Sequence, residues 1–188
     1  MPPSVIFPHQ FEAMWSKVVA PTRAFALRTI GKDEPVATLR WAKTYGSLAT
    51  LTLDDGSVFT VKRTGFWSPR VTLRVPGSED DLEVFTPTSW SAGGQLRRVA
   101  DGSTQFLARE SLWGSRWIWS ASNSAPIMAI DMTQTACRGE IRLAPDNVWN
   151  SRSITLASMG WYVMQLLAED EQTAMIAAVT ATICAASG

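Results

Sequence analysis

The chain has 188 residues, of which 46% are apolar and 18% are charged, a composition that excludes a disordered or collagen-like polypeptide. Lys and Arg total 17 and Asp and Glu total 17, so the formal net charge is zero. Binding to nucleic acid or to an anionic membrane through bulk charge needs an excess of one sign, and we do not expect it here. The length predicts a single domain over residues 1–188.

Cysteine usage and the first residues indicate the compartment. Cys137 and Cys184 are the two cysteines, which is too few for a disulfide framework. Residues 1–8 lack the basic segment and the long apolar segment of a secretory signal. We therefore expect a cytoplasmic location with reduced thiols.

Residues 9–19 are the first predicted element. Apolar side chains recur there at Phe11, Met14, Trp15 and Val18, which is the spacing of one helix face. Prolines flank this segment on both sides. The pattern predicts a short N-terminal amphipathic helix.

Residues 24–150 change to short, β-branched and aromatic segments separated by Gly, Asp, Ser and Pro. Residues 48–62 alternate on both sides of an Asp-Gly turn, and residues 96–109 repeat that arrangement. Asp-Gly favours tight hairpin turns because glycine adopts positive φ angles at little cost. We count ten to twelve short strands, which is typical of an antiparallel sandwich or barrel.

The segment 153–186 is an apolar helical tail. Two charge-free runs, residues 153–168 and 173–188, lie in this part of the chain and are separated by an acidic cluster at residues 169–171. Each run is shorter than the roughly 20 residues of a membrane-spanning helix, so we expect no transmembrane span. We predict buried helices, with a helix break at the acidic cluster because acidic residues favour a helix N-terminus.

An internal repeat places arginines after similar turns. The pattern Arg-x-x-apolar-Trp-x-x-Arg begins at Arg63 and at Arg109, and a shorter copy lies at residues 148–152. The arginines that close the three copies are Arg70, Arg116 and Arg152. One interpretation is structural, with each arginine packed on its tryptophan. The other is that the three arginines meet at one rim and bind an anionic group. We favour the structural interpretation and keep the second as a testable alternative.

Residues that carry catalytic chemistry are scarce. His9 is the single histidine, which leaves no His-based zinc site and no supported Ser-His or Cys-His arrangement. The acidic residues at positions 79–83 are expected to form a solvated hairpin loop, with a weak calcium site as the alternative. Trp117 and Trp119 are two residues apart and would share one face of a strand, which favours packing in the core over stacking on nucleic-acid bases. We therefore predict no catalytic residues, metal or cofactor, and no nucleic-acid partner.

The order of elements resembles the tubby C-terminal-like superfamily, which includes tubby domains, phospholipid scramblases and LURP-one-related proteins. The resemblance rests on residues 95–107, on 117–119, on 125–130 and on the apolar tail from Ile154. It implies a closed antiparallel β-barrel that wraps a hydrophobic central helix. Tubby domains bind phosphoinositides through basic side chains, but no matching basic constellation is present, so no site residue carries over.

Two classes of function follow. The first is a non-enzymatic binding or interaction module, with an anionic phospholipid or a protein as its partner. The second is an enzyme or small-ligand carrier whose pocket forms only in the folded chain. The barrel interior discriminates between them, because a lumen filled by the tail leaves no room for a ligand of the lipocalin kind.

Overall fold

The computed structural model describes residue 7 and residues 12–44, 46–65, 68–89, 93–111, 114–122, 124–133 and 135–186. Of the C-terminal helix, side chains are described for residues 151–170 and for residue 173. The described residues form a closed antiparallel barrel and one long α-helix. The predicted barrel around an apolar helix is confirmed.

Twelve strands of five to nine residues follow one another around the barrel, and each pairs with its neighbours in the chain. They are β1 (Ala13–Lys17), β2 (Ala24–Thr29), β3 (Ala37–Trp41), β4 (Ala49–Leu53), β5 (Val58–Thr64), β6 (Arg70–Arg74), β7 (Asp81–Ser89), β8 (Gly93–Arg98), β9 (Thr104–Arg109), β10 (Arg116–Ala121), β11 (Pro126–Met132) and β12 (Arg138–Leu143). Helix α1 covers Ser151–Ala186.

The two predicted hairpins are β4–β5 and β8–β9. Gly56 and Gly102 occupy their turns with φ angles of 83° and 69°, which is the conformation that the Asp-Gly pairs predicted. Within each hairpin the residues alternate between the lumen and the outer face, as Leu51 and Val61 show on the inside.

The predicted N-terminal helix at residues 9–19 is wrong where the structure describes that segment. Residues 8–11, and His9 with them, lie outside the described residues, and the chain from Ala13 onward is strand β1. Ala13 and Trp15 are fully buried, whereas Met14 and Ser16 between them are half-buried, so the strand alternation replaces the helical spacing. Strand β1 pairs with β2 and with β12 and thereby closes the barrel.

Helix α1 fills the lumen. Every residue from 156 to 167 is buried, which means that the helix is covered on all sides. The charge-free run 153–168 is therefore the one that occupies the barrel. The helix break predicted at residues 169–171 is wrong, since α1 continues through them to Ala186.

Aromatic rings join the helix to the barrel wall. Trp161 stacks on Trp15 with a centroid distance of 6.0 Å, and Tyr162 stacks on Trp41 at 5.4 Å. Gly139 lies opposite Trp15 in the β1–β12 register, and its missing side chain leaves room for the Trp161 ring. These contacts fix the depth of the helix in the lumen.

The barrel has two distinct rims. Odd strands run in one direction and even strands in the other, so the connections after even strands, including the one to α1, all lie at one end. We call this end the helix-start rim. The opposite end, which carries the connections after odd strands, is the helix-exit rim.

Candidate functional site

The three arginines predicted to bind an anion are not brought together. Arg70 and Arg116 begin even strands, so they lie at the helix-exit rim, whereas Arg152 belongs to the first turn of α1 at the helix-start rim. Arg70 and Arg116 also face outward, because the next residue of each strand is buried in the lumen. Four strand spacings of about 4.8 Å, or about 19 Å, separate these two arginines around the barrel.

The three arginines lie apart because their strands and the helix begin at different ends of the barrel. The first two copies of the repeat precede even strands, which begin at the same rim. The third copy follows an even strand and precedes the helix, so it lies at the other end. Trp67 and Trp113 lie outside the described residues, so the packing of Arg70 and Arg116 on these two rings stays a prediction. Trp149 is described and half-buried, and Arg152 forms hydrogen bonds with Glu83 and Gln105.

Arg116 belongs to a network of ion pairs on the outer face. Its Nε donates to Asp131 Oδ1 at 2.8 Å, and its Nη1 lies 3.8 Å from Glu110 Oε2. Arg142 donates to the second oxygen of Asp131. The hydrogen bond to Asp131 raises the pKa of Arg116. With its donors engaged in this way, Arg116 is a cross-strand link between β10 and β11.

Arg152 belongs to a cluster of charged side chains around the buried Glu83 at the helix-start rim. Its guanidinium donates to Glu83 Oε1 and, at 2.5 Å, to Gln105 Oε1. Arg98 Nε lies 3.7 Å from the same Glu83 oxygen, and Arg98 Nη1 donates to Asp101 Oδ2 at 3.3 Å. Burial raises the pKa of the Glu83 carboxyl, and Arg152 opposes that shift. Burial likewise lowers the pKa of Arg152.

This cluster borders a cavity of about 300 Å³, which we call the helix-start cavity. Its polar side chains are Glu83, Arg98, Ser151, Arg152 and Thr155. Its apolar wall consists of Phe59, Leu73, Leu82 and Ala100. Apolar walls with a few fixed polar groups are the usual construction of a small-molecule site.

A second concave surface lies on the outer face of strands β6 to β8, and we call it the outer-face groove. Its volume is about 560 Å³. Arg70 and Arg97 line it together with the outward-facing Val84, Thr86 and Gln95. Among the described residues, neither guanidinium group has an ion-pair or hydrogen-bond partner. Two carboxylates, Asp80 and Asp81, line the same groove, and Arg74 neutralises the second of them at 2.6 Å.

Exposed apolar and basic side chains border the outer-face groove. Val99 lines it and is 49% exposed. Phe106, 41% exposed, lies opposite Gln95 in the β8–β9 register. Lys62 lies opposite Thr72 on the outer face of β5 and is exposed. The surface thus combines Arg70, Arg97 and Lys62 with solvent-exposed apolar groups and with one carboxylate, Asp80, that Arg74 does not neutralise.

The helix-exit rim holds a different cluster. Arg23 forms an ion pair with Glu169, and its guanidinium carbon lies 3.8 Å from the centroid of the Trp41 ring. Burial lowers the pKa of Arg23 to about 10. Tyr162 donates its hydroxyl to the backbone oxygen of Ser47, and burial raises the pKa of Tyr162. These contacts hold the helix in place as it leaves the barrel.

Alternation along the strands is the signal that finds the helix-start cluster. Glu83 precedes Phe85 by two residues, so both face the lumen. The same rule turns Arg98, two residues after the buried Leu96, toward the lumen. The expectation that all four acidic residues at positions 79–83 are solvated is wrong for Glu83, which is 4% exposed. The described residues contain no group of three metal-ligating side chains, and the calcium alternative finds no support there.

Comparison with known proteins adds no relative. No protein-family model, curated protein or solved structure matches the chain. Over the part of the chain that the structure describes, no helix combines the length and the hydropathy that crossing a bilayer requires.

Proposed function

We propose that the chain is a non-enzymatic binding module that docks on anionic phospholipid through the outer-face groove. The observation that carries the proposal is the pair of arginines, Arg70 and Arg97, that line one groove without a carboxylate partner among the described residues. Guanidinium groups bind phosphate oxygens through paired hydrogen bonds. A phosphate-bearing headgroup is therefore the chemistry that suits this surface.

The filled lumen supports the choice of a binding module over a carrier. Helix α1 occupies the space that a lipocalin-type barrel offers to its ligand. A ligand must then bind at a rim or on the outer face. The resemblance to tubby-like domains and scramblases is consistent with this choice, and we propose that relationship as well.

The neighbouring side chains favour a membrane surface over a free phosphate. Val99 and Phe106 expose apolar groups beside the arginines, and such groups gain from contact with the headgroup and acyl boundary. Lys62 adds a third cation on the same face. We further propose a cytoplasmic location, where anionic lipids face the protein and the exposed thiol of Cys137 stays reduced.

Liposome flotation tests the proposal. We expect wild-type protein to float with phosphatidylcholine vesicles that contain phosphatidylserine, and not with phosphatidylcholine alone, at low salt. Each cation near an anionic surface contributes about 1 kcal/mol, so the variant Arg70→Ala/Arg97→Ala loses about 2 kcal/mol, or about 30-fold in partitioning. Physiological salt weakens all binding through screening.

The matched control is Lys32→Ala/Lys43→Ala, which removes the same charge from exposed positions outside the groove. We expect this variant to float like the wild type. Equal losses in the two double variants would show that only net charge matters and would refute the groove. No flotation of the wild type, or equal flotation with neutral vesicles, would refute phospholipid binding and leave a protein partner as the next hypothesis.

A further inference from the structure

The helix-start cavity holds a polar atom that the fold leaves without a partner. The Glu83 side chain is only 6% exposed, and its Oε1 atom accepts from Arg152. Its Oε2 atom is buried and has no hydrogen-bond partner among the described residues. Buried carboxylate oxygens are normally paired, so Oε2 calls for a hydrogen-bond donor that the described part of the chain does not supply.

The first turn of α1 borders the same cavity and has backbone N–H groups without a hydrogen-bond partner among the described residues. Asn150 caps α1, and its Oδ1 accepts from the Ser153 N–H at 3.0 Å. The N–H groups of Ser151 and Arg152 precede the first intrahelical hydrogen bond, and the cap does not reach them. Ser151 lines the cavity. Exposed N–H groups at a helix N-terminus attract an anionic group such as a carboxylate.

The charges around the cavity limit the ligand. Arg98 and Arg152 are balanced by Glu83 and by Asp101, so the cluster is neutral as a whole. A polyanion would therefore gain little there, whereas a molecule with one negative and one positive group matches both the backbone donors and Glu83. The volume of about 300 Å³ is at the small end for ligand sites and limits the ligand to a compact molecule.

From these observations we infer that the helix-start cavity binds a small zwitterion with an apolar body, of the free α-amino acid class. The carboxylate lies at the N–H groups of Ser151 and Arg152. The ammonium group donates to Glu83 Oε2. The apolar side chain packs against Phe59, Leu73 and Leu82. This site is separate from the outer-face groove, and neither proposal depends on the other.

Isothermal titration with four probes tests each part of this assignment on the full chain. L-leucine carries all three groups. 4-Methylpentanoate lacks the ammonium group, 3-methylbutylamine lacks the carboxylate, and glycine lacks the apolar body. We expect saturable binding of leucine, with each truncated probe at least about tenfold weaker, because each lacks one of the three contacts. No saturable binding of leucine, or equal binding of all four probes, would overturn the inference.

The variant Glu83→Gln locates the ammonium contact. The amide keeps the shape of the side chain and an oxygen for Arg152, but it loses the negative charge. We expect leucine to bind at least about tenfold more weakly to this variant, whereas 4-methylpentanoate binds as it does to the wild type. Lys32→Ala, an exposed position away from the cavity, serves as the control and keeps wild-type affinity.

A second variant keeps the test valid if Glu83→Gln fails to fold. Leu82 is 37% exposed and belongs to the apolar wall, so Leu82→Ser alters the cavity with little effect on the core. We expect this variant to bind leucine more weakly than the wild type does and to bind glycine with unchanged affinity. Far-ultraviolet circular dichroism establishes that each variant is folded. Unchanged leucine binding in both folded variants would place the ligand elsewhere and refute the assignment.

Discussion

Substitution of Gly139 by alanine tests how the helix is seated in the barrel. Gly139 faces the lumen from β12, directly opposite Trp15 of β1. The ring of Trp161 stacks on Trp15 at an interplanar angle of 6° and occupies the space beside Gly139. A Cβ atom added at Gly139 would lie 2.3 Å from Trp161 Cζ3. Carbon atoms pack at about 3.5–4.0 Å, so the two groups would overlap by more than about 1 Å.

The size of the effect follows from two opposing contributions. Forcing an extra methyl group into a packed core costs about 1–3 kcal/mol. Alanine in a strand is about 0.5–1 kcal/mol more favourable than glycine, because glycine loses more conformational freedom on folding. The Trp161 ring cannot move freely, since Phe25 contacts it edge-on at 5.4 Å. We expect Gly139→Ala to lower the free energy of unfolding by about 1–2 kcal/mol.

A double-mutant cycle with Trp161→Phe assigns that loss to one contact. Phenylalanine is smaller than tryptophan and relieves the overlap, so the double variant should be more stable than the sum of the single effects by about 1 kcal/mol. Urea unfolding followed by circular dichroism measures each free energy. Phe106→Ala, on the outer face, combined with Trp161→Phe should be additive. A Gly139→Ala variant as stable as the wild type, or a cycle without coupling, would refute this seating of the helix.

Further predictions concern charge in and around the lumen. Leu166→Asp places an unpaired carboxylate among buried residues and should abolish soluble expression, whereas Val148→Asp, at a position 70% exposed, should not; normal yield and an unchanged dichroism spectrum for the first would contradict the central helix. Arg152→Ala should cost about 3 kcal/mol in urea unfolding, because it leaves the buried Glu83 with only the longer contact to Arg98. Arg63→Ala removes an exposed ion pair and should cost at most about 1 kcal/mol, and equal costs for the two variants would argue against burial of the Glu83–Arg152 pair. Burial raises the pKa of Glu83 above its ordinary value of 4.5, so the folded state binds this proton more tightly than the unfolded state. The free energy of unfolding therefore falls as the pH rises from 4.5 toward the pKa of the folded state. Glu83→Gln removes this titrating group, so its urea midpoint should depend less on pH in this range than that of the wild type. The same pH dependence in both proteins would contradict a raised pKa of Glu83.

Local sequence patterns predict those parts of the fold whose causes are local. The β4–β5 and β8–β9 hairpins follow from Asp-Gly turns between alternating segments, and both are present. The buried helix follows from the lack of charge in residues 153–168, because such a segment has no face suited to water. In each case the responsible residues are close together in the chain.

Strand β1 shows what a local pattern misses. The spacing of Met14, Trp15 and Val18 suits a helix face, yet the segment is short and its stability as a helix would be marginal. As a strand, Ala13–Lys17 joins β2 to β12 and removes two open sheet edges at once. The partner strand β12 lies more than a hundred residues away, so the pattern at residues 9–19 contains no sign of it.

The candidate sites depend on contacts between distant residues in the same way. Glu83 and Arg152 are separated by 69 residues, and their pairing arises only when α1 occupies the lumen beside β7. Arg70 and Arg97 lie on β6 and β8, the two strands that flank β7, and they are offset by two residues, a placement that only the register reveals. The sequence repeat selected three arginines because their flanking residues are similar. In the fold, the rim at which an arginine lies depends on the direction of its strand, and the face on which it lies depends on the alternation of side chains along that strand.

The acidic residues 169–171 mark the end of the lumen and not the end of the helix. Residues 161–186 contain no proline or glycine, so nothing local interrupts the helical hydrogen bonds. The charge-free run of residues 153–168 spans about 24 Å at 1.5 Å per residue. Charged residues flank it on both sides: Arg152 pairs with Glu83 at the helix-start rim, and Glu169 pairs with Arg23 at the helix-exit rim. Charged residues thus begin again at the two rims, where water and ion-pair partners are available. The length of the charge-free run therefore corresponds to the depth of the barrel.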